Sequence, residues 1–158
     1  RVSLLGFGLG AIATLPAARH TPSHNRVCLI APAMGGDHVL RTVKSNGAPA
    51  PLRAEQLPDA WLTEAGQMNA ATNAAGVVQP VLILQGPADR FIDASSSLSF
   101  AAIREAANLP IERVLIARAD HLFSTPAARQ TCVERVVRFL EEPSAPRPAP
   151  RPTAGASA

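Results

Sequence analysis

The sequence predicts an α/β fold, a parallel sheet of about four strands flanked by helices. Short apolar runs of strand length, VSLL, RVCLIA, PVLILQ and IERVLIA, recur along the chain. The first three meet glycine or proline at their ends, as buried strands do. Between the runs lie stretches of helical length, and strands alternating with helices at this spacing give βα units in a parallel sheet covered on both faces.

Each element follows from its residues. VSLL, residues 2 to 5, reads as a short buried strand, and residues 9 to 20 as an alanine-rich helix that Pro16 should kink or shorten. RVCLIA, residues 26 to 31, is a second buried strand ended by Pro32. From 32 to 79 the pattern is looser; Asp59 caps a helix with Trp61, Ala65 and Met68 on one face, a spacing that fits core packing. PVLILQ, residues 80 to 85, is the strongest strand, entered at Pro80 and left at Gly86. Asp93 N-caps a helix from about 94 to 107, and IERVLIA, residues 111 to 117, is the next strand. Thr125 as N-cap and Pro126 at the first helical position open the last helix, with Cys132, Val133, Val136, Val137 and Leu140 as its apolar stripe. The domain is therefore expected over 1 to 142. Residues 143 to 158, rich in proline and alanine, form a low-complexity tail that buries too little apolar surface to order itself.

Composition excludes several classes of function. The chain has 158 residues, 47% hydrophobic and 17% charged, ordinary values for one globular domain. Its net charge of +3 comes from basic residues, nearly all arginine, scattered along the chain and not gathered on one face. With 4% aromatic residues there is little to stack on bases, so a nucleic-acid surface is not expected. Cys28 and Cys132 show no Cys-x-x-Cys spacing and read as small buried hydrophobes, which points to a reducing, cytoplasmic setting. His20, His24, His38 and His121 lack metal-ligand spacing, so neither a metal nor a cofactor is expected. The apolar start resembles a secretory signal, but alternate glycines followed by a second strand-like run fit a strand, turn and helix inside a domain better. No apolar run reaches the roughly twenty residues that span a bilayer.

The stretch GFGLGA admits two readings. Gly6, Gly8 and Ala11 fit the dinucleotide fingerprint G-x-G-x-x-A, placed between a strand and a helix. That fingerprint needs an acid at the end of the next strand to bind a ribose, and this strand ends LIAPAMGG, with Asp37 well beyond it. Alternatively, Gly6, Gly8 and Gly10 fit the nucleophile turn G-x-S-x-G with glycine at the serine position. The partners of such a nucleophile follow in the order acid, then base. Asp89 comes just after PVLILQG, and His121 just after RVLIA in the stretch RADHLFS. In a parallel sheet the turns at the carboxyl ends of the strands share one edge, so Gly8, Asp89 and His121 should converge.

These segments resemble the α/β-hydrolase family, especially lysophospholipase and monoacylglycerol-lipase-like esterases. PVLILQGPADRFID and ADHLFSTPAARQ are similar to the family's acid and histidine segments, and LLGFGLGA to its nucleophile elbow. The resemblance implies that Asp89 orients His121, that His121 is the general base, that Gly8 stands at the nucleophile position and that the Leu9 N–H is one oxyanion donor. It also implies that 32 to 79 corresponds to a cap over the pocket, and that the substrate is a small-molecule acyl ester. Two departures matter. Gly8 has no hydroxyl, and the family's sheet has further strands before the elbow, so this sequence looks like the carboxyl-terminal part of a hydrolase.

Plainer roles stand beside these. Asp89 could cap a turn, His121 could be a solvated loop residue, Asp120 is a turn residue, and Gly8 relaxes a backbone that serine would strain. Three functions are therefore open: a relative of carboxylic ester hydrolases impaired by loss of its nucleophile, a noncatalytic binding module on the same scaffold, and a dinucleotide-binding domain. The oligomeric state is not legible.

Overall fold

The computed structural model describes residues 2–21, 26–35, 58–67, 69 and 71–143. Half of the expected cap falls outside the described residues, as do Asp37, His24, His38 and nearly all of the expected tail.

Four strands form one parallel sheet in the order β1 (Leu4–Phe7), β2 (Val27–Ile30), β3 (Val81–Gln85), β4 (Ile111–Leu115). The helices are α1 (Gly10–His20), α2 (Asp59–Gln67), α3 (Ala71–Ala74), α4 (Leu98–Ala106) and α5 (Pro126–Glu141). Strand alternation splits the core into two layers. Val27, Leu29, Val81 and Ile83 face α1, α3 and α4, packing on Leu15, Ala18, Ala74 and Phe100. Cys28, Leu82 and Leu84 face the other way, onto Ala128, Cys132 and Phe139 of α5. β3, with every residue buried, is the centre of both layers. Both cysteines are free and buried, and burial pushes the Cys28 thiol up to about 12.

The structure corrects the expected elements in four places. β1 begins at Leu4, not at residue 2, and it is not a buried strand: it is the sheet edge, with Leu5 and Phe7 exposed, and pairing with β2 fixes its register. Pro16 does not shorten α1, which continues to His20 because Leu15 and Ala18 on either side are fully buried and outweigh one lost ladder bond. The helix expected from 94 starts as a 3-10 turn, Ala94–Ser97, capped by Asp93 Oδ1 accepting from the Ser95 N–H at 2.7 Å. On α5, Val133 and Val137 are exposed, while Phe139 completes the buried stripe. The Thr125 cap is present, its hydroxyl accepting from the Ala128 N–H at 3.2 Å. The side chains of Trp61, Ala65 and Met68 lie outside the described residues.

Two buried arginines close the amino end of the sheet. The Arg104 guanidinium, fully buried, donates to the carbonyls of Ala74, Val77, Gln79 and Pro110 at 3.1, 2.5, 2.7 and 2.9 Å. Burial lowers it to about 10, so it stays charged at neutral pH. Arg26 donates to the carbonyls of Glu142 and Pro143 at 3.1 and 3.0 Å and lies over the Phe139 ring, tying the end of α5 to the start of β2. Among the described residues no helix is long and apolar enough to cross a membrane.

Candidate active site

Three turns beyond the carboxyl ends of β1, β3 and β4 meet, as a parallel sheet requires. The first joins β1 directly to α1. Gly8 has φ +53°, the left-handed region in which a side chain is strained. Its N–H donates to the Ile30 carbonyl at 2.9 Å, and its carbonyl accepts from the Ala33 N–H at 3.0 Å. The turn is thus locked to β2 and the loop that follows. Gly6 is required by close approach: a Cβ there would lie 2.8 Å from Ala11 Cα and would run into the Thr14 hydroxyl. Gly10 has open space around it, so the motif's third glycine meets no steric demand here.

The second turn carries Asp89, whose side chain is wholly buried. Its Oδ1 accepts from the N–H groups of Phe91 and Ile92 at 2.8 and 2.9 Å, which fixes the carboxylate and leaves Oδ2 for another donor. That donor is His121 on the third turn, with Nδ1 2.8 Å from Asp89 Oδ2. A carboxylate only accepts, so Nδ1 carries a proton, and in the neutral ring Nε2 is the acceptor. Nε2 faces residue 8: a Cβ built on Gly8 would stand 3.4 Å from it. Phe7 and Phe91 flank the imidazole, each with its centroid 5.2 Å away, and the histidine side chain keeps 17% of its exposure.

The structure therefore brings Gly8, Asp89 and His121 into one line, with Leu9 beside them. Leu9 precedes the first residue of α1, where the opening N–H groups of a helix lack intrahelical acceptors. Asp120 stands apart as a turn residue: its Oδ1 accepts from the Ser124 N–H at 2.8 Å, which holds its carboxyl below the usual range. The dinucleotide reading gains nothing here, because β2 ends at Ile30 and continues as Ala31, Pro32 and Ala33, with no acid. Among the described residues no group of three histidine, cysteine, aspartate or glutamate side chains is placed to hold a metal.

Sequence reasoning missed what holds the acid and histidine turns together. A Cβ on Gly86 would lie 2.6 Å from the Ala119 carbonyl carbon, so only glycine permits this approach. Across the same seam the Ala88 N–H donates to the Ala119 carbonyl at 3.0 Å. Behind the acid turn, Gln85, Ser97 and Arg113 form a polar cluster. Glutamine closing the apolar run VLILQ was the one visible signal of that cluster.

No family model and no curated protein matches the sequence. Solved structures do match its fold. The esterase domain of a Rhodothermus marinus protein superposes with a TM-score of 0.66 at 20% identity, over 87% of this chain and 60% of that one. The esterase of Pyrococcus furiosus gives 0.67 at 15% identity, over 89% of this chain and 52% of its own. Dipeptidyl peptidase 4 of Porphyromonas gingivalis gives 0.67 at 20% identity, over 89% of this chain and 19% of its own. The chain spans between half and two thirds of the two esterases' length. At such identities the likeness shows the fold: this parallel sheet with helices on both faces is part of an α/β-hydrolase fold, shared with esterases and peptidases.

Proposed function

We propose that the chain is a relative of carboxylic ester hydrolases, of the lysophospholipase or monoacylglycerol-lipase-like type, in which the acid and base are assembled and the attacking hydroxyl is absent. The observation that carries this reading is the line Asp89, His121, residue 8. A buried carboxylate holds Nδ1 at 2.8 Å, and Nε2 lies 3.4 Å from the point where a Cβ of residue 8 would stand. A serine hydroxyl there would reach Nε2. In a complete serine hydrolase the histidine takes the hydroxyl proton as oxygen attacks the acyl carbon, gives it to the leaving alcohol, then activates water to release the acid. Asp89 would orient the ring, and the Leu9 N–H would be one donor to the developing oxyanion. Gly8 stops that cycle at its first step. The residues from 32 to 79 would cap the pocket over a small-molecule acyl ester, and the two free cysteines suit a reducing cytoplasm.

Gly8 itself favours a second reading, a binding module that uses the old pocket without chemistry. Restoring the hydroxyl separates the two. Gly8→Ser is expected to react covalently with a fluorophosphonate probe, and Gly8→Ser with His121→Ala is not. A well-folded Gly8→Ser protein that stays unlabelled would remove the case for Asp89 and His121 as a catalytic pair and leave the binding module.

A further inference from the structure

We infer that Arg113, acting through Ser97 and Gln85, is a positioning residue for the Asp89–His121 pair; the inference rests on the reading of that pair given above. The acid turn leaves β3 at Gln85 and re-enters regular structure at Asp93, so its shape depends on how those two ends are held. Gln85 holds both. Its amide donates to the Asp93 carbonyl at 3.1 Å, and its Oε1 accepts from the Ser97 hydroxyl at 2.8 Å. Gln85 and Ser97 are fully buried, so neither can exchange these partners for water.

Arg113 connects this cluster to the strand that leads to His121. It sits on β4 opposite Ile83, on the same face of the sheet as Gln85. Its Nε donates to the Ser97 hydroxyl at 2.6 Å and its Nη2 to the Ala94 carbonyl at 2.5 Å. The Ser97 hydroxyl thus accepts from Arg113 while donating to Gln85, and one oxygen joins β3, β4 and the 3-10 turn. A planar guanidinium fork suits two such acceptors, where a lysine ammonium would not fix both. The front of the site has its own strap, Gly86 against Ala119. With front and back both tied, the acid turn has little freedom to carry Oδ2 away from Nδ1. A loosened cluster would leave the fold standing and let the imidazole change tautomer.

The tautomer is therefore the readout, since a purely structural role would not move it. The ring nitrogen-15 shifts of His121 are measured at alkaline pH in the full chain, assigned by their loss in His121→Gln. The parent is expected to show one fixed Nδ1–H tautomer, and Asp89→Ala a mixture. Arg113→Met and the milder Ser97→Ala are expected to move a large part of the way to that mixture. Arg26→Met, which removes a buried arginine at the opposite end of the sheet, is the control and should lower stability without moving the shifts. Parent-like shifts in both Arg113→Met and Ser97→Ala overturn the inference while the pair stands. An equal displacement in Arg26→Met also overturns it, because the effect would then be general loosening. If the parent itself resembles Asp89→Ala, the pairing fails in solution, and the proposed function falls with it.

Discussion

The two ends of the sheet solve opposite problems. At the amino end, Arg104 and Arg26 are buried and tied to backbone carbonyls, four by Arg104 and two by Arg26. At the carboxyl end, the backbone adopts left-handed conformations at Gly8, Ala31, Arg118 and Phe123, with φ of +53°, +44°, +57° and +51°, whereas at the amino end Asn108, of a residue type that tolerates this region, does so at +53°. There Asp89 is held by two N–H groups and the imidazole, whereas the imidazole turns Nε2 toward residue 8. Strained turns gathered around an imidazole are the marks of a site, and buried guanidinium groups tied to backbone carbonyls are the marks of a scaffold, although Arg26 Nε, Arg104 Nε and Gln79 Oε1 have no partner of their own among the described residues. The difference separates residues whose loss should unfold the chain from those whose loss should only disarrange it.

The comparison is tested most severely at Arg104. Arg104→Met fills much the same volume but strands the carbonyls of Ala74, Val77 and Gln79 in the core, Pro110 keeping the Val81 N–H, and each unsatisfied group costs about 1 to 3 kcal/mol. We expect a loss of at least about 3 kcal/mol in urea unfolding, with some of these carbonyls recovering water. A loss within experimental error would mean that the amino end is not the scaffold. Gly86→Ala comes next, because its Cβ would collide with the Ala119 carbonyl and push the acid and histidine turns apart. Overpacking of this kind costs about 1 to 3 kcal/mol. It should also break the fixed His121 tautomer, which Arg104→Met should spare wherever the protein is folded.

These two residues also show what the sequence could and could not convey. Continuous apolar runs place β2, β3 and β4 within a residue or two of their observed ends, because buried parallel strands need such runs. β1 is displaced because an apolar run says nothing of where pairing starts; Leu4↔Val27 does. Gly8, Asp89 and His121 are legible because chain order and strand ends bring them to one edge. Arg104 is not, because arginine is a surface residue by default and only the fold turns four carbonyls toward it. Gly86 reads as a strand exit, since its real neighbour, Ala119, is distant in sequence and close in space.

A smaller effect is expected at Gly8, where strain replaces collision. A Cβ there meets only the imidazole, at distances of ordinary contact, so the cost of Gly8→Ala is the left-handed backbone alone. That cost is about 1 to 2 kcal/mol. A stabilised Gly8→Ala protein would mean that the turn is not strained and that the carboxyl end differs from the amino end in chemistry only.

The smallest effect is at Asp120, close to the site in sequence but built like the scaffold, with its carboxylate accepting from the Ser124 N–H. That hydrogen bond, the first cause of its lowered pKa, favours the charged form in the folded chain. Below the usual carboxylate range the unfolded chain therefore binds its proton before the folded one does, and stability rises with pH across that window. The contribution is complete above the unfolded value and is lost as pH falls through the folded one. Asp120→Ala should thus be slightly less stable than the parent at neutral pH, and the gap should narrow on acidification as the parent loses the charged hydrogen bond. Thermal melts of both proteins at neutral pH and at several acidic values measure this. A gap that widens toward acid would show that the Asp120 carboxyl is held protonated, and that the turn ahead of His121 is not held by backbone hydrogen bonds as the amino end is.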